Sequence, residues 1–359
     1  MNDRARIPGD HGGPMADAAA RRQLKADLAR HSIHVHQPDD PPLFTREPAG
    51  PMQSVFWRWA DLEPLLERLG REVALNSGGQ RRTLRLANPG LTRGTTYSFW
   101  GSIQLILPGE IAEAHRHSAN AFRFIMKGSG CSTTVDGECH QMNEGDLVLT
   151  PSWTWHDHEH RGSGPMIFLD VLDVALMHNL DFTFFEPYGA PTQPVDAVSM
   201  RSVREWGTGI MKPPGAAPVP ARNPLLAYPR ATALQALDLA AGLPADPCDD
   251  LIREYQNPAT GGPCMPTQSM TLQRLRPGFA GRARRHTGSR LYYMVDGCGW
   301  TEVDGVRHDW SAGDFLSVRP WAWVRHGNDS GADAHLFQVN DTPILKALGF
   351  HREEIAPAT

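Results

Sequence analysis

The chain has 359 residues, 40% apolar and 21% charged, with 35 Lys and Arg against 40 Asp and Glu for a net charge of −5. That apolar share supports packed cores and excludes a disordered chain, and the acidic balance excludes a protein that works by neutralising nucleic-acid phosphates. No apolar run reaches the roughly 18 residues of a membrane span, MNDRARIPGD lacks an apolar signal region, and five scattered cysteines (Cys131, Cys139, Cys248, Cys264, Cys298) suit free thiols. A cytoplasmic protein of about two domains is expected, with no membrane or nucleic-acid partner.

Residues 1–54 are rich in Pro, Gly, Asp and Arg and read as a surface arm with a short helix over 15–30. VFWRWADLEPLLERLG (55–70) has apolar residues at helical spacing, with Asp61 as a possible cap and Gly70 as a stop. From 81 to 185 the texture changes to short alternating runs such as SFWGSIQLILPGE, AFRFIMKGSG and DLVLTPSW, divided by Gly, Pro and Asp. Many short strands with close turns predict an all-β sandwich or barrel. Residues 187–229 are dense in Pro and Gly and read as a connector. A helix over 231–241 precedes a second β-rich block from about 265 to 339. The predicted organisation is an arm (1–54), a first barrel domain (55–186), a connector (187–229) and a second barrel domain (230–359).

The second block repeats the first. HSANAFRFIMKGSG lies over HTGSRLYYMVDGCG, with His117 on His286, Gly128 on Gly297 and Gly130 on Gly299. VDGECHQMNEGD falls on VDGVRHDWSAGD, and Trp153, Trp155 and His158 fall on Trp321, Trp323 and His326. Two copies of one small barrel are expected.

In the first copy, Gly109-x5-His115-x-His117 is followed by Gly145-x5-Pro151-x4-His156. Residues two apart on a strand share a face, so His115 and His117 can both look into the barrel. His156 can close the triangle from a neighbouring strand. Three neutral imidazoles suit Fe, Zn, Ni or Cu and leave coordination positions open. In the second copy His115 maps to Arg284 and His156 to Val324, so only His286 survives and no metal is expected there. His326 reads as an ordinary surface or turn histidine.

These spacings resemble the two short motifs of the cupin superfamily, and the doubling implies a bicupin: two β-barrel or jelly-roll domains with a few peripheral helices. A cupin usually carries a glutamate after the HxH pair, but here Arg123 holds that place. A cation cannot ligate a metal, so the site is three-histidine with a positive charge beside it. RRTLRLANPGL, HRHSANAFRF, LTPSWTWHDH, LDVLDVALMHNLDFTFFE, NPATGGPCMPT and DTPILKALGF together resemble the gentisate/salicylate 1,2-dioxygenase family.

That resemblance implies an Fe(II) enzyme that opens the ring of a 2-hydroxybenzoate between the carboxyl-bearing and hydroxyl-bearing carbons, using O2. It implies His115, His117 and His156 as iron ligands. It implies Arg123 as the group that binds the substrate carboxylate or stabilises charge on reduced oxygen, and Arg81 as a substrate clamp. His158 resembles the family's acid/base histidine and Asp170 its carboxylate partner, while Trp100 and Gln104 match pocket walls. Gly101-Ser102 stands where small residues such as Ala and Gly are usual, so Ser102 adds a hydroxyl to the pocket. A homotetramer is implied as well. Gentisate, salicylate and 5-substituted salicylates such as 5-nitrosalicylate remain open as substrates. Alternatives are 1-hydroxy-2-naphthoate cleavage, another three-histidine cupin enzyme, and a non-catalytic ligand-binding bicupin.

Overall fold

The computed structural model describes residues 17–36, 40–75, 81–216 and 222–357, which fall into two compact units, Met1–Ala49 and Gly50–Thr359. The first unit holds α1 (Ala18–Arg30), capped by Asp17, whose side chain accepts from the Ala19 amide; no α1 side chain is buried. Residues 15 and 16, which the predicted helix includes, lie outside the described residues.

The second unit opens with β1 (Val55–Trp57) and α2 (Trp59–Glu72). The single helix expected over 55–70 is thus divided, because VFW, β-branched and aromatic, joins a sheet edge instead. Asp61 lies in the first turn of α2, where a carboxylate complements the helix dipole, and Arg58 holds the cap position. Gly70 lies inside the helix and does not end it. A Cβ there would come within 2.7 Å of Leu105 Cδ2, so the glycine permits close packing.

The first barrel comprises β2 (Thr83–Arg85), β3 (Trp100–Ile106), β4 (Ile111–His117), β5 (Ala121–Lys127), β6 (Cys131–Val135), β7 (Glu138–Met142), β8 (Leu147–Thr150), β9 (His156–His160) and β10 (Met166–Leu172). There follow α3 (Val174–Asn179), β11 (Phe185–Pro187), α4 (Arg201–Trp206), β12 (Ala227–Tyr228) and α5 (Arg230–Ala240). The second barrel runs through β13 (Leu251–Glu254), β14 (Ser269–Leu275), β15 (Arg284–His286), β16 (Arg290–Asp296), β17 (Cys298–Val303), β18 (Val306–Ser311), β19 (Phe315–Val318), β20 (Val324–Gly327) and β21 (Ala334–Asn340). α6 (Thr342–Ala347) and β22 (Glu353–Ile355) complete the order.

Each barrel is a pair of sheets. In the first, β12-β8-β5-β10-β3-β2 faces β11-β4-β9-β6-β7; in the second, β1-β19-β16-β21-β14-β13 faces β18-β17-β20-β15-β22. The barrels trade edge strands with their flanks. β1, which precedes the first barrel, pairs with β19 of the second, while β12, from the Pro/Gly-rich stretch, pairs with β8 of the first.

Strand alternation decides where the core sits. On β3, Ile103 and Leu105 point one way and Ser102 and Gln104 the other. The first set joins Phe122, Phe124 and Leu169 against Leu272, Leu291, Tyr293 and Phe337 of the second barrel in one buried cluster, with the Phe124 and Phe337 rings 4.3 Å apart. At roughly 1.5–3 kcal/mol per large side chain buried, this seam makes one body of the two barrels. The opposite faces look into the barrels and are free to carry polar groups.

The internal repeat is visible in the backbone. Asp136-Gly137 and Asp304-Gly305, all with positive φ, form the tight turns of matching hairpins, β6–β7 and β17–β18. Trp153 and Trp321 share a left-handed φ of 62° and 64°. Arg116 stacks 4.5 and 4.4 Å from Trp153 and Trp155, as Arg285 stacks 4.4 and 4.5 Å from Trp321 and Trp323. His115 pairs with His156 across β4–β9, and Arg284 pairs with Val324 across β15–β20. His326, expected at the surface, is instead a β20 residue only 1% exposed. It sits at an inward position of the strand, two beyond Val324.

Candidate metal centre

His115 and His117 project from β4, and His156 from the start of β9, which pairs with β4. Their rings lie 4.3, 4.8 and 5.4 Å apart, and one ligand nitrogen from each falls within 4.8 Å of the others. Among the described residues this is the one cluster of three or more His, Cys, Asp or Glu side chains that could hold a metal ion.

The backbone sets the tautomers. The Nδ1 atoms lie 2.9, 2.9 and 3.0 Å from the carbonyls of Glu113, Ala119 and Thr154, each two residues from its own histidine. A carbonyl only accepts, so the Nδ1 of His117 and of His156 carries the proton and Nε2 offers a lone pair, whereas at His115 the carbonyl competes for Nδ1 with the Arg81 guanidinium, a donor at 2.8 Å. His156 Nε2 is buried with no partner in the protein, which is costly unless something coordinates it. Burial is the main force holding all three rings neutral, with Arg81 second for His115 and Arg123 second for His117. His115 is pushed down to about 3 and His117 to about 4. A neutral, converging nitrogen set fits a metal.

The facing sheet supplies the charge. Register places Ser102 opposite Asp170 and Asp170 opposite Arg123, so all three share the inner face of β3, β10 and β5. Arg123, 3% exposed, donates to Thr150 Oγ1 and lies 3.3 Å from Asp170 Oδ1 through Nε. Burial lowers the affinity of Arg123 for its proton and raises that of Asp170, and each charge opposes the other's shift. Arg81 donates to the Glu113 carbonyl and lies 2.8 Å from His115 Nδ1. Burial draws its pKa down to about 10.

Trp100 and Gln104 occupy the same face of β3 as Ser102, and both leave a buried N–H without a partner, Trp100 Nε1 and Gln104 Nε2. The Arg85 guanidinium covers the Trp100 ring at 5.0 Å. His158, 1% exposed, points inward from β9 against Phe168 at 5.7 Å, its Nδ1 unpartnered. Expected as the partner of His158, Asp170 is found paired with Arg123, its register neighbour on β5, and among the described residues it makes no contact with His158. Its service is to the arginine.

Residues 102–172 and 271–340 match the cupin domain family. The chain is 36% identical to 5-aminosalicylate 1,2-dioxygenase of Comamonas sp, over 92% of this chain and 89% of that one. It is also 36% identical to gentisate 1,2-dioxygenase of Streptomyces sp, over 83% and 85% of the two. It belongs to the gentisate/salicylate 1,2-dioxygenase family. The crystal structure of salicylate 1,2-dioxygenase from Pseudoaminobacter salicylatoxidans with gentisate superposes with a TM-score of 0.89, 31% identity and 97% of both chains covered.

As a bicupin 1,2-dioxygenase, the protein has a metal cofactor implied both by its family and by the three-histidine group. Two contacts escape sequence reasoning. Phe185 stacks on His115, centroids 5.2 Å apart, because β11 pairs with β4; the FTFFE run gives no sign of which phenylalanine does so. Thr150 receives Arg123 from the neighbouring strand β8, and alternation along LVLT puts it on the inner face once the register is known.

Proposed function

We propose that the chain is an Fe(II)-dependent dioxygenase that opens the ring of a 2-hydroxybenzoate between its carboxyl-bearing and hydroxyl-bearing carbons, inserting both atoms of O2. The observation that carries this reading is the set of three converging imidazoles, those of His115 and His156 buried, facing a buried arginine. His115, His117 and His156 hold the iron in the first barrel, and the second carries none. When bound, iron supplies adjacent open coordination positions and a redox couple linking an electron-rich ring to O2. Arg123 receives the carboxylate, and Asp170 and Thr150 hold that guanidinium at its angle. Arg81 braces His115 from outside and clamps the acid. Trp100, Ser102 and Gln104 form the wall along β3, and His158 takes or returns the proton of the phenol oxygen. Enclosure between the sheets keeps out water and fixes the acid's orientation.

The charge arrangement limits the substrate. Neutral metal ligands and a nearby arginine demand an anionic, chelating acid, so salicylate-type acids are turned over while phenol, catechol and methyl esters are not. We further propose a cytoplasmic homotetramer; no described helix is long and apolar enough to cross a membrane.

The test combines metal analysis with oxygen uptake by the iron-loaded protein. The panel is gentisate, salicylate, 5-substituted salicylates and 1-hydroxy-2-naphthoate. One iron per chain is expected, falling towards zero in His117→Ala, with uptake on at least one acid. Two iron per chain, or no uptake with any acid, would refute the reading.

A further inference from the structure

The second barrel contains a cavity of about 170 Å³ at the place that corresponds to the metal centre of the first. It cannot hold a metal in the same way. Arg284 stands where the first barrel has His115, held by Asp249 at 2.6 Å and Asp246 at 3.0 Å, and Val324 stands in the place of His156. What remains has been reversed from acceptor to donor. His286 occupies the place of His117, yet its Nδ1 accepts from the Gly288 amide at 3.0 Å, where His117 Nδ1 gives its proton to a carbonyl. A neutral imidazole that accepts at Nδ1 carries its proton on Nε2.

His326 follows the same logic. Thr301 Oγ1 accepts from Trp310 Nε1 at 3.0 Å and lies 2.8 Å from His326 Nδ1, the acceptor within reach of its own hydroxyl proton, so we assign that proton to the bond with Nδ1. That leaves His326 Nε2–H buried and without a partner. Burial keeps both rings neutral, with His326 held down at about 3. Arg290, 2% exposed, commits Nη2 to the Ala322 carbonyl at 3.1 Å and leaves Nε unpartnered.

The acids of the wall are engaged elsewhere. Asp249 is bound to Arg284, Glu353 lies 3.5 Å from Arg284 Nε, and Glu254 accepts from Ser269 Oγ at 2.5 Å. Among the described residues no ion pair joins any of them to Arg290, whose charge still acts on Asp249 and whose guanidinium also donates to Tyr292. Ile252, Val324 and Pro343 supply an apolar side, and the space holds several waters, more than chloride or sulfate needs.

We propose that the second barrel is a binding site for a small organic carboxylate, received by Arg290 and the Nε2–H groups of His286 and His326, with its apolar body against Ile252, Val324 and Pro343. Unpaired buried donors carry a large desolvation cost, and an anionic acceptor removes it. The site is separate from the reaction assigned to the first barrel and does not depend on it.

Calorimetric titration of the iron-loaded protein with benzoate tests this. A site is expected that His117→Ala leaves intact and that Arg290→Gln weakens at least about tenfold. Thr271→Phe, which fills the cavity from β14 without touching the buried arginine, blocks the same site and stands in should Arg290→Gln fail to fold. Benzamide, of the same shape without the charge, leaves it empty. No benzoate site in His117→Ala, a site indifferent to both second-barrel variants, or equal filling by benzamide would each overturn the proposal.

Discussion

Removing Arg123 separates its catalytic service from its structural one. Arg123 and Asp170 are 3% and 6% exposed and form an ion pair at 3.3 Å inside the barrel. Breaking a buried pair from one side costs about 3–5 kcal/mol of stability, because the other charge is left unpaired. Arg123→Ala should therefore lower the melting temperature clearly, and Arg123→Ala with Asp170→Ala should recover much of the loss. Activity should not recover. A charge-assisted hydrogen bond to the substrate carboxylate contributes roughly 1.5–3 kcal/mol, which is about tenfold to 150-fold in kcat/KM. The pH sign follows from Asp170. Burial already raises its pKa above 3.8 in the folded protein, and Arg123 opposes that rise. Without the arginine the folded carboxyl binds its proton more tightly than the unfolded one, so stability is present at low pH and lost as pH rises through the raised value. Melting temperature from pH 4 to 8, oxygen uptake with the best acid of the panel, and iron content are the three readouts. Loss of iron in Arg123→Ala, or cleavage as fast as the parent, would show that Arg123 is not the carboxylate receptor.

Two smaller predictions use the same assays. Ser102 lies on the inner face of β3 opposite Asp170, so Ser102→Ala should change the kcat/KM ratio between 5-hydroxy or 5-nitro acids and plain salicylate; an unchanged ratio removes Ser102 from the pocket. Light scattering should give a mass near four chains, and a mass near 40 kDa would reject the tetramer.

The metal ligands were legible because three separate regularities meet in them. The HxH spacing fixes a common face, Gly and Pro frame the strands, and the second copy shows the same frame with Arg284 and Val324 in place of two histidines. The structure bears out that alignment at the histidines and the left-handed tryptophans with their stacked arginines, but not at Gly130, whose positive φ Gly299 lacks: the hairpin register matches Gly299 of β17 with Cys131 of β6. What was less legible depends on which strands become neighbours. VFW has the right spacing to begin a helix, and only the free edge of β19 draws it into a sheet. Gly70 reads as a stop until Leu105 is seen 2.7 Å from where its Cβ would be.

The partner of Asp170 is likewise not readable from its position in the sequence alone. FLDVLD places the carboxylate facing into the barrel, but position on a strand says nothing about the opposite sheet. Its neighbour in register is Arg123 on β5, while His158 stands across the cavity on β9. A buried carboxylate meets the nearest charge able to satisfy it, and in this barrel that charge is one strand away. Tautomers lie further still from the sequence. His117 and His286 align without ambiguity, yet one meets a carbonyl and the other an amide two residues on. Which backbone group Nδ1 meets, carbonyl or amide, decides whether Nε2 presents a lone pair or a proton, and hence whether an aligned histidine is able to ligate a metal at all.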